Sequence, residues 1–436
     1  MARRKRKRKK RIFPKIAGLV LILALAGGAA LSAQRFWPRF LQTAEETAGQ
    51  VSEQVLEQVS EQQTEFPELT IQEEETADGF YYQQLTEREQ TIYREILQGV
   101  NSMEETIRIH ATIEDDMGKI YEYLLYDRPE LFWCAGNTNL TIYDAYTDLI
   151  PGYTCSVQEK EERQSQIDAS AQECISGIDS GASDYEKVKY VFEYVVNTVE
   201  YDVNAPDNQN IYSSMVGKRS VCAGYSRMAQ YLLKQMGIPC IYVIGDIEGQ
   251  GAHAWNIVNC DGTYYQMDTT FGDPVFLQAE SGENMPSGSI NYDYLCCTDA
   301  EIMVDHVQWD EVDYPECNSD DLNYYRMNGM YYESFDSYEL LQKMNDSVYA
   351  GEESFVCKFS NASVYGEARD TVINELLPQA AQNLASYYGL GSVILTQRMG
   401  NIIRSRCFGV TNDPSWQSSE FRKMREKREC KRFVKT

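Results

Sequence analysis

Histidine is scarce in this chain: there are three in 436 residues, at positions 110, 253 and 306. Among the twelve cysteines no C-x-x-C pair occurs. These two shortages argue against a structural zinc site, which gathers four Cys or His ligands at close spacing. No G-x-x-x-x-G-K-[ST] loop is present and no G-x-G-x-x-G follows a strand, so the common phosphate and dinucleotide cradles are missing. Neither a metal nor another cofactor is expected. Positive charge is outnumbered in the body. Residues 1–15 hold ten Lys/Arg and no acid, leaving 30 Lys/Arg against 66 Asp/Glu in the remainder, a net charge of −36. Such a body repels the phosphate backbone, so nucleic acid is not an expected partner.

One long run has no charge at all. It extends from Ile16 to Ala33, directly after the basic block. Eighteen residues of helix span about 27 Å, just enough to cross a bilayer. Lys/Arg excess marks the cytoplasmic side, which places 1–15 inside and the chain beyond Gln34 outside. A cleaved leader is the competing reading, because Ala30, Leu31 and Ser32 fit a small-residue cleavage site. The expected location is therefore the cell membrane, single-pass with the body extracytoplasmic, or secreted if the leader is removed.

An exported chain with twelve cysteines invites disulfides. Here they are scattered, and setting one aside for chemistry leaves an odd number. A chain of this size does not need staples. The cysteines are read as mostly reduced and buried small hydrophobes, the adjacent Cys296 and Cys297 included. Tyrosine outnumbers phenylalanine 31 to 15, which favours cores and clefts lined by rings with polar tips.

Composition divides the chain into a basic cytoplasmic segment (1–15), a transmembrane anchor (16–33) and an acidic Gln/Glu-rich stalk (34–79). An α+β lead-in domain follows (80–182), then a core (183–320), a small α+β C-terminal domain (321–410) and a basic tail (411–436). Thr86 to Glu89 reads as a capping box opening a helix that ends near Gly99, and a second helix runs from about Ile113 to Tyr126. Ser183 is the expected cap of another. Asn328-Gly329 lies between tyrosine-rich stretches and predicts a hairpin. The tail has eight Lys/Arg in its last sixteen residues. Anionic wall polymer or lipid is a candidate partner for it, and a solvated tail is the alternative.

The chemistry concentrates around Ser220–Gly237. Cys222 stands at the start of an amphipathic helix whose apolar positions are Met228, Ala229, Leu232, Leu233 and Met236. A helix N-terminus favours an anion, here a thiolate. Ala223 and Gly224 are small enough to let a substrate approach the sulfur. A thiolate also needs a base. His253 begins a strand after the loop DIEGQG. That strand turns at Asp261-Gly262 and returns through TYYQMDTTF. A two-residue turn pairs 260 with 263, so paired positions sum to 523 and Asp268 becomes a diagonal neighbour of His253 on one face. Nucleophile, base and orienting acid are the parts of a triad. Taken singly, Cys222 reads as packing before nucleophile, His253 also as a structural histidine and Asp268 also as a turn or strand-end residue. Trp255, on the same face as His253, is either a cleft wall or core.

The blocks GKRSVCAGYS, GIPCIYVIG, HAWNIV and DGTYYQMDTTFGDP, in that order, resemble the core of transglutaminase-like proteins of the papain-like cysteine hydrolase fold. The likeness covers roughly residues 80–320. It implies an α+β fold in which a helix led by cysteine packs against an antiparallel sheet carrying His and Asp. It also implies Cys222 as nucleophile, His253 as general base and acid, and Asp268 as orienting acid. TTFGDP departs from the T-W-x-D-P often seen in the family, at a position beside the cleft. The Cys222 N–H is one candidate oxyanion donor, and Gln209 or Tyr212 the other. The implied reaction is acyl transfer from a peptide or protein substrate through a thioester, resolved by water or by an amine. Two alternatives stand beside it. One is a non-catalytic binding or scaffold protein at the cell surface. The other is a de-glycosylating amidase, disfavoured because relatives of that activity resemble zinc proteins.

Overall fold

Helix starts in this chain are written in its capping residues. Thr86 accepts from the Glu89 N–H while Glu89 reaches back to the Thr86 N–H, opening α1 (Glu87–Asn101). The same reciprocal box opens α3 (Val157–Ile175) from Ser156 and Glu159. It recurs at α4 (Asp184–Thr198), from Ser183 and Glu186. Each box satisfies two amides that no helical carbonyl can reach. Between the first two of these helices lies α2 (Met117–Asp127), capped by Asp116.

The computed structural model describes residues 19–23, 66–274, 290–310, 312–352, 355–389, 397–399 and 404–407. The chain divides into two compact units, Met1–Thr270 with Ile302–Glu316, and Phe271–Glu301 with Cys317–Thr436.

Besides a short parallel pair, Glu200–Tyr201 with Arg219–Ser220, the first unit holds two larger sheets. One contains β1 (Leu19–Leu23), β2 (Ile107–Ile109), β3 (Cys134–Ile142) and β4 (Thr147–Tyr153), in the spatial order β1-β3-β4-β2. The other is antiparallel, with β5 (Cys240–Ile247), β6 (Gly251–Cys260), β7 (Thr263–Met267) and β8 (His306–Gln308) in the order β7-β6-β5-β8. Helix α5 (Cys222–Gln235) packs on this second sheet. The lead-in residues share this unit with 183–270 and 302–316 of the expected core, while 271–301 and 317–320 of that core fall in the other unit. The reason is physical: α2 is fastened to α5, with Gln230 Nε2 donating to the Tyr126 carbonyl at 2.8 Å and Arg227 to that of Leu125. Tyr81 also donates to the carbonyl of Tyr242 in β5, at 2.7 Å. The rings of Tyr81, Tyr123, Tyr126 and Tyr242 form one cluster there.

Two expectations from composition change at the N-terminal side. Residues 66–79, placed in the stalk, lie against α1, where Gln98 bonds Thr70 and the Glu68 carbonyl. Of the expected anchor, only Leu19–Leu23 are described. They form strand β1, antiparallel to β3. No helix among the described residues is long and apolar enough to cross a membrane. The rest of 1–65, most of the expected stalk included, and the basic tail lie outside the described residues.

The second unit packs α6 (Ser337–Ala350), α7 (Ala362–Thr371) and α8 (Leu377–Tyr388) with β10 (Phe355–Phe359). Their shared core is Leu340, Met344, Phe355, Cys357, Phe359 and Leu377. The predicted hairpin at Asn328-Gly329 is not formed. Asn323 instead caps a helical turn, Tyr324–Met327, and Gly329 ends it at φ +66°. Strand β9 (Tyr331–Tyr332) then runs parallel to β10. The Asn-Gly pair serves a helix end, where a left-handed residue is equally needed. Strands β11 (Gln397–Met399) and β12 (Arg404–Cys407) pair antiparallel.

Candidate active site

Cys222 is the first residue of α5, after Val221 in extended conformation. Its N–H belongs to the helix turn whose amides have no intrahelical acceptor, so the sulfur sits in a field that favours negative charge. Helix α5 buries Tyr225, Met228, Ala229, Leu232 and Leu233. It ends before Gly237, whose φ is +79°. Gly224 is buried, and its missing side chain serves packing and not substrate entry. A Cβ there would lie 1.8 Å from Ser220 Oγ, which donates to the Asn208 carbonyl at 2.7 Å. Close approach of the preceding loop to the nucleophile helix therefore depends on glycine.

Two buried polar residues fix α5 against β6. Ser226 Oγ lies 2.9 Å from the Cys222 carbonyl and 2.8 Å from that of Ala254. Asn256 Nδ2 donates to the carbonyls of Ser226 and Ile241, at 3.1 and 3.3 Å. These bonds set the height of Cys222 relative to His253, one residue before Ala254.

The strand register is the one the Asp261-Gly262 turn demands. Both residues have positive φ, +50° and +86°, as a type I′ turn requires. Pairs run from Cys260↔Thr263 to Asn256↔Met267. There the ladder stops, short of the expected His253–Thr270 pair, because the chain bends into the helical turn Thr269–Gly272. Asp268 stands at that bend. Its Oδ1 accepts from the Thr270 N–H at 2.8 Å, and its Oδ2 lies 2.7 Å from His253 Nε2. It is both a strand-end residue and the partner of the imidazole.

With Nε2 committed to Asp268, Nδ1 is the ring atom left for the thiol, and the charges of Cys222 and His253 favour one another. Burial pushes the Cys222 thiol up. The positive His253 and the Ala254 N–H more than offset this, and the thiol is held below its ordinary value. Burial pushes His253 down, but Asp268 and Cys222 raise it to about 10. Asp268 is fully buried, which would raise it. His253 and His306 instead hold its carboxyl far below the usual carboxylate range. These directions favour a thiolate–imidazolium pair steadied by a carboxylate.

Sequence reasoning brought forward Cys222, His253 and Asp268, and the structure brings all three together. It missed His306. His306 Nε2 lies 2.9 Å from the same Asp268 Oδ2, and its Nδ1 lies 2.6 Å from Asp305 Oδ1. The available signal was the scarcity of histidine itself, with Asp305-His306 adjacent in sequence. His253, Asp268 and His306 present ligand-type atoms within 4.8 Å of one another. Both Nε2 atoms, however, address a single carboxylate oxygen, which fits a hydrogen-bonded bridge. Trp255 is fully buried, donates from Nε1 to Gln266 Oε1 at 2.8 Å, and meets both imidazoles edge or face. It is core behind the site. The two loop candidates for the oxyanion are committed elsewhere: Tyr212 OH to Gln166 Oε1, and the exposed Gln209 amide to Asn208. DIEGQG forms a tight turn between β5 and β6, with Gly249 and Gly251 at φ +79° and +106°.

Residues 171–269, which contain Cys222, His253 and Asp268, match the family described as the Transglutaminase-like superfamily. The Kyphoscoliosis peptidase of Mus musculus is 27% identical over 106 residues, 21% of this chain and 16% of that protein. The match thus spans about a sixth of the relative's length. Among solved structures, a TGase is similar at TM-score 0.24 and 17% identity, over 42% of this chain and 54% of that one. Menin, whose structure reveals the binding site for the Mixed Lineage Leukemia (MLL) protein, is similar at TM-score 0.23 and 15% identity, over 53% and 52%. Over residues 171–269 the mixed helix-and-sheet fold, a cysteine-led helix on an antiparallel sheet with His253 on it and Asp268 at its end, is transglutaminase-like.

Proposed function

We propose that this protein is a cysteine enzyme that transfers acyl groups from peptide or amide carbonyls through a thioester on Cys222. One observation carries the reading: Cys222 opens helix α5 as the charge partner of a buried His253 whose Nε2 lies 2.7 Å from Asp268. The Cys222 thiolate adds to the carbonyl carbon, and the negative charge moves to the carbonyl oxygen beside the Cys222 N–H. The C–N bond breaks as the His253 imidazolium gives its Nδ1 proton to the leaving nitrogen. A thioester and neutral His253 remain. His253 then takes a proton from water or from an incoming amine, whose attack releases an acid or a new amide and restores the thiol. Asp268 holds the imidazole in the orientation that leaves Nδ1 toward sulfur.

The basic block of 1–15 and the uncharged run of 16–33 support export of the body, although Leu19–Leu23 of that run pair with β3 in this structure and cannot span a bilayer at the same time. Peptides or proteins on that side are the substrates this reading assigns. The test is to expose the full-length protein to a peptide-amide library and look by mass spectrometry for an acyl adduct on Cys222 that hydroxylamine removes. The reading expects the adduct in wild type and its loss in Cys222→Ala and His253→Ala. Wild-type protein that never acylates, with its biological effect unchanged by Cys222→Ala, would leave the scaffold reading in its place.

A further inference from the structure

His306 lies on β8, 38 residues beyond Asp268, and takes no part in the reaction just described. Its side chain is fully buried. Each ring nitrogen faces a carboxylate: Nε2 faces Asp268 Oδ2 at 2.9 Å, and Nδ1 faces Asp305 Oδ1 at 2.6 Å. Carboxylates only accept, so satisfying both requires a proton on both nitrogens. The ring is held firmly. His306 pairs with Ile247 across the strands, and the Trp255 ring meets it edge-on at 5.0 Å. Gly245 permits this closure, since a Cβ there would lie 2.1 Å from the Val307 carbonyl oxygen and 2.6 Å from the Trp255 ring. The charged groups facing His306 are Asp268, Asp305 and the His253 ring. Asp246 on β5 is turned to Trp309 Nε1, at 2.8 Å.

We propose that His306 is a positioning residue: a fixed imidazolium that shares Asp268 with His253 and sets the pH window in which the Cys222–His253 ion pair exists. This inference rests on the function proposed above. Two cations divide one carboxylate oxygen, so His306 blunts the pull of Asp268 on the proton of His253. Its charge also favours the thiolate. Asp305, whose side chain is one-third exposed at 33%, keeps the proton on His306 and links the site to solvent. The direction of the His306 shift agrees: burial lowers it, but the bonds to Asp268 and Asp305 raise it. The resulting line Cys222–His253–Asp268–His306–Asp305 alternates in charge from the sulfur to the surface.

The test is the pH profile of Cys222 alkylation by iodoacetamide, read by mass spectrometry on full-length wild type, His306→Gln and Asp305→Asn. Glutamine keeps a donor to Asp268 but not the charge. Both inflections of the profile should move to higher pH in His306→Gln, by about one unit for a charge lost at this range. Asp305→Asn should follow wild type at low pH and His306→Gln at high pH, because its His306 loses the proton earlier. A purely structural role predicts slower labelling at every pH with unmoved inflections. That result in Asp305→Asn, a partly exposed site expected to fold, would overturn the assignment even if His306→Gln misfolds. A wild-type profile like that of an ordinary thiol would instead refute the function proposed above.

Discussion

Replacing Asp268 by asparagine removes one charge and keeps the shape. Oδ2 lies 2.7 Å from His253 Nε2, which puts the charge centres roughly 4 Å apart. At an effective dielectric of about 20 that interaction is worth about 4 kcal/mol, or about 3 pH units on His253. His253, raised to about 10, should therefore fall to about 7. The more distant thiol is also freed from the Asp268 charge, which raises it. That relief offsets only part of the loss on His253, so the thiolate–imidazolium form gives ground to the neutral pair. The iodoacetamide labelling rate of Cys222 at pH 7 should drop roughly 10- to 100-fold, while circular dichroism stays that of the folded protein. An unchanged rate in a folded Asp268→Asn protein would refute the account of how this site charges its sulfur.

Three other outcomes follow from the same coordinates. Gly224→Ala drives a methyl group into Ser220 Oγ and should cost about 2 kcal/mol or more, seen as a lowered melting temperature and slower Cys222 labelling. Asn256→Ala leaves the Ser226 and Ile241 carbonyls short of a donor inside the core and should cost about 2–3 kcal/mol in urea denaturation. In Cys222→Ala protein, His253 and His306 remain raised by Asp268, so their contribution is full below about pH 6.5 and is lost as pH rises through their folded values. Asp268 is depressed, so its contribution is full above about pH 4 and is lost as pH falls. Urea midpoints of that variant should peak between these limits, and the alkaline loss should shrink when Asp268→Asn is added.

Local rules made much of this legible. Capping boxes at Thr86 and Ser183 mark helix starts because the bonds lie within three residues of sequence. Asp261-Gly262 sets the β6–β7 register because a two-residue turn allows one pairing. Cys222 shows itself by standing where an apolar helix period begins. What stayed hidden depends on distance. His306 reaches the site only because β8 pairs with β5, 60 residues earlier in the chain, and no local pattern reports such a pairing. Gly224 was read as an opening because the sequence does not show that Ser220 folds back over it. Asn328-Gly329 meets the needs of a hairpin and of a helix end alike, and Asn323, five residues upstream, decides between them.

The account stands on a sulfur made reactive by its neighbours, and the chain carries its own control. Cys155 is also partly exposed, but burial raises its thiol and no histidine addresses it. Native full-length protein treated with limiting iodoacetamide at pH 6 should carry label on Cys222 well before Cys155, and His253→Ala should abolish that preference. Equal labelling of the two in wild-type protein would contradict the claim.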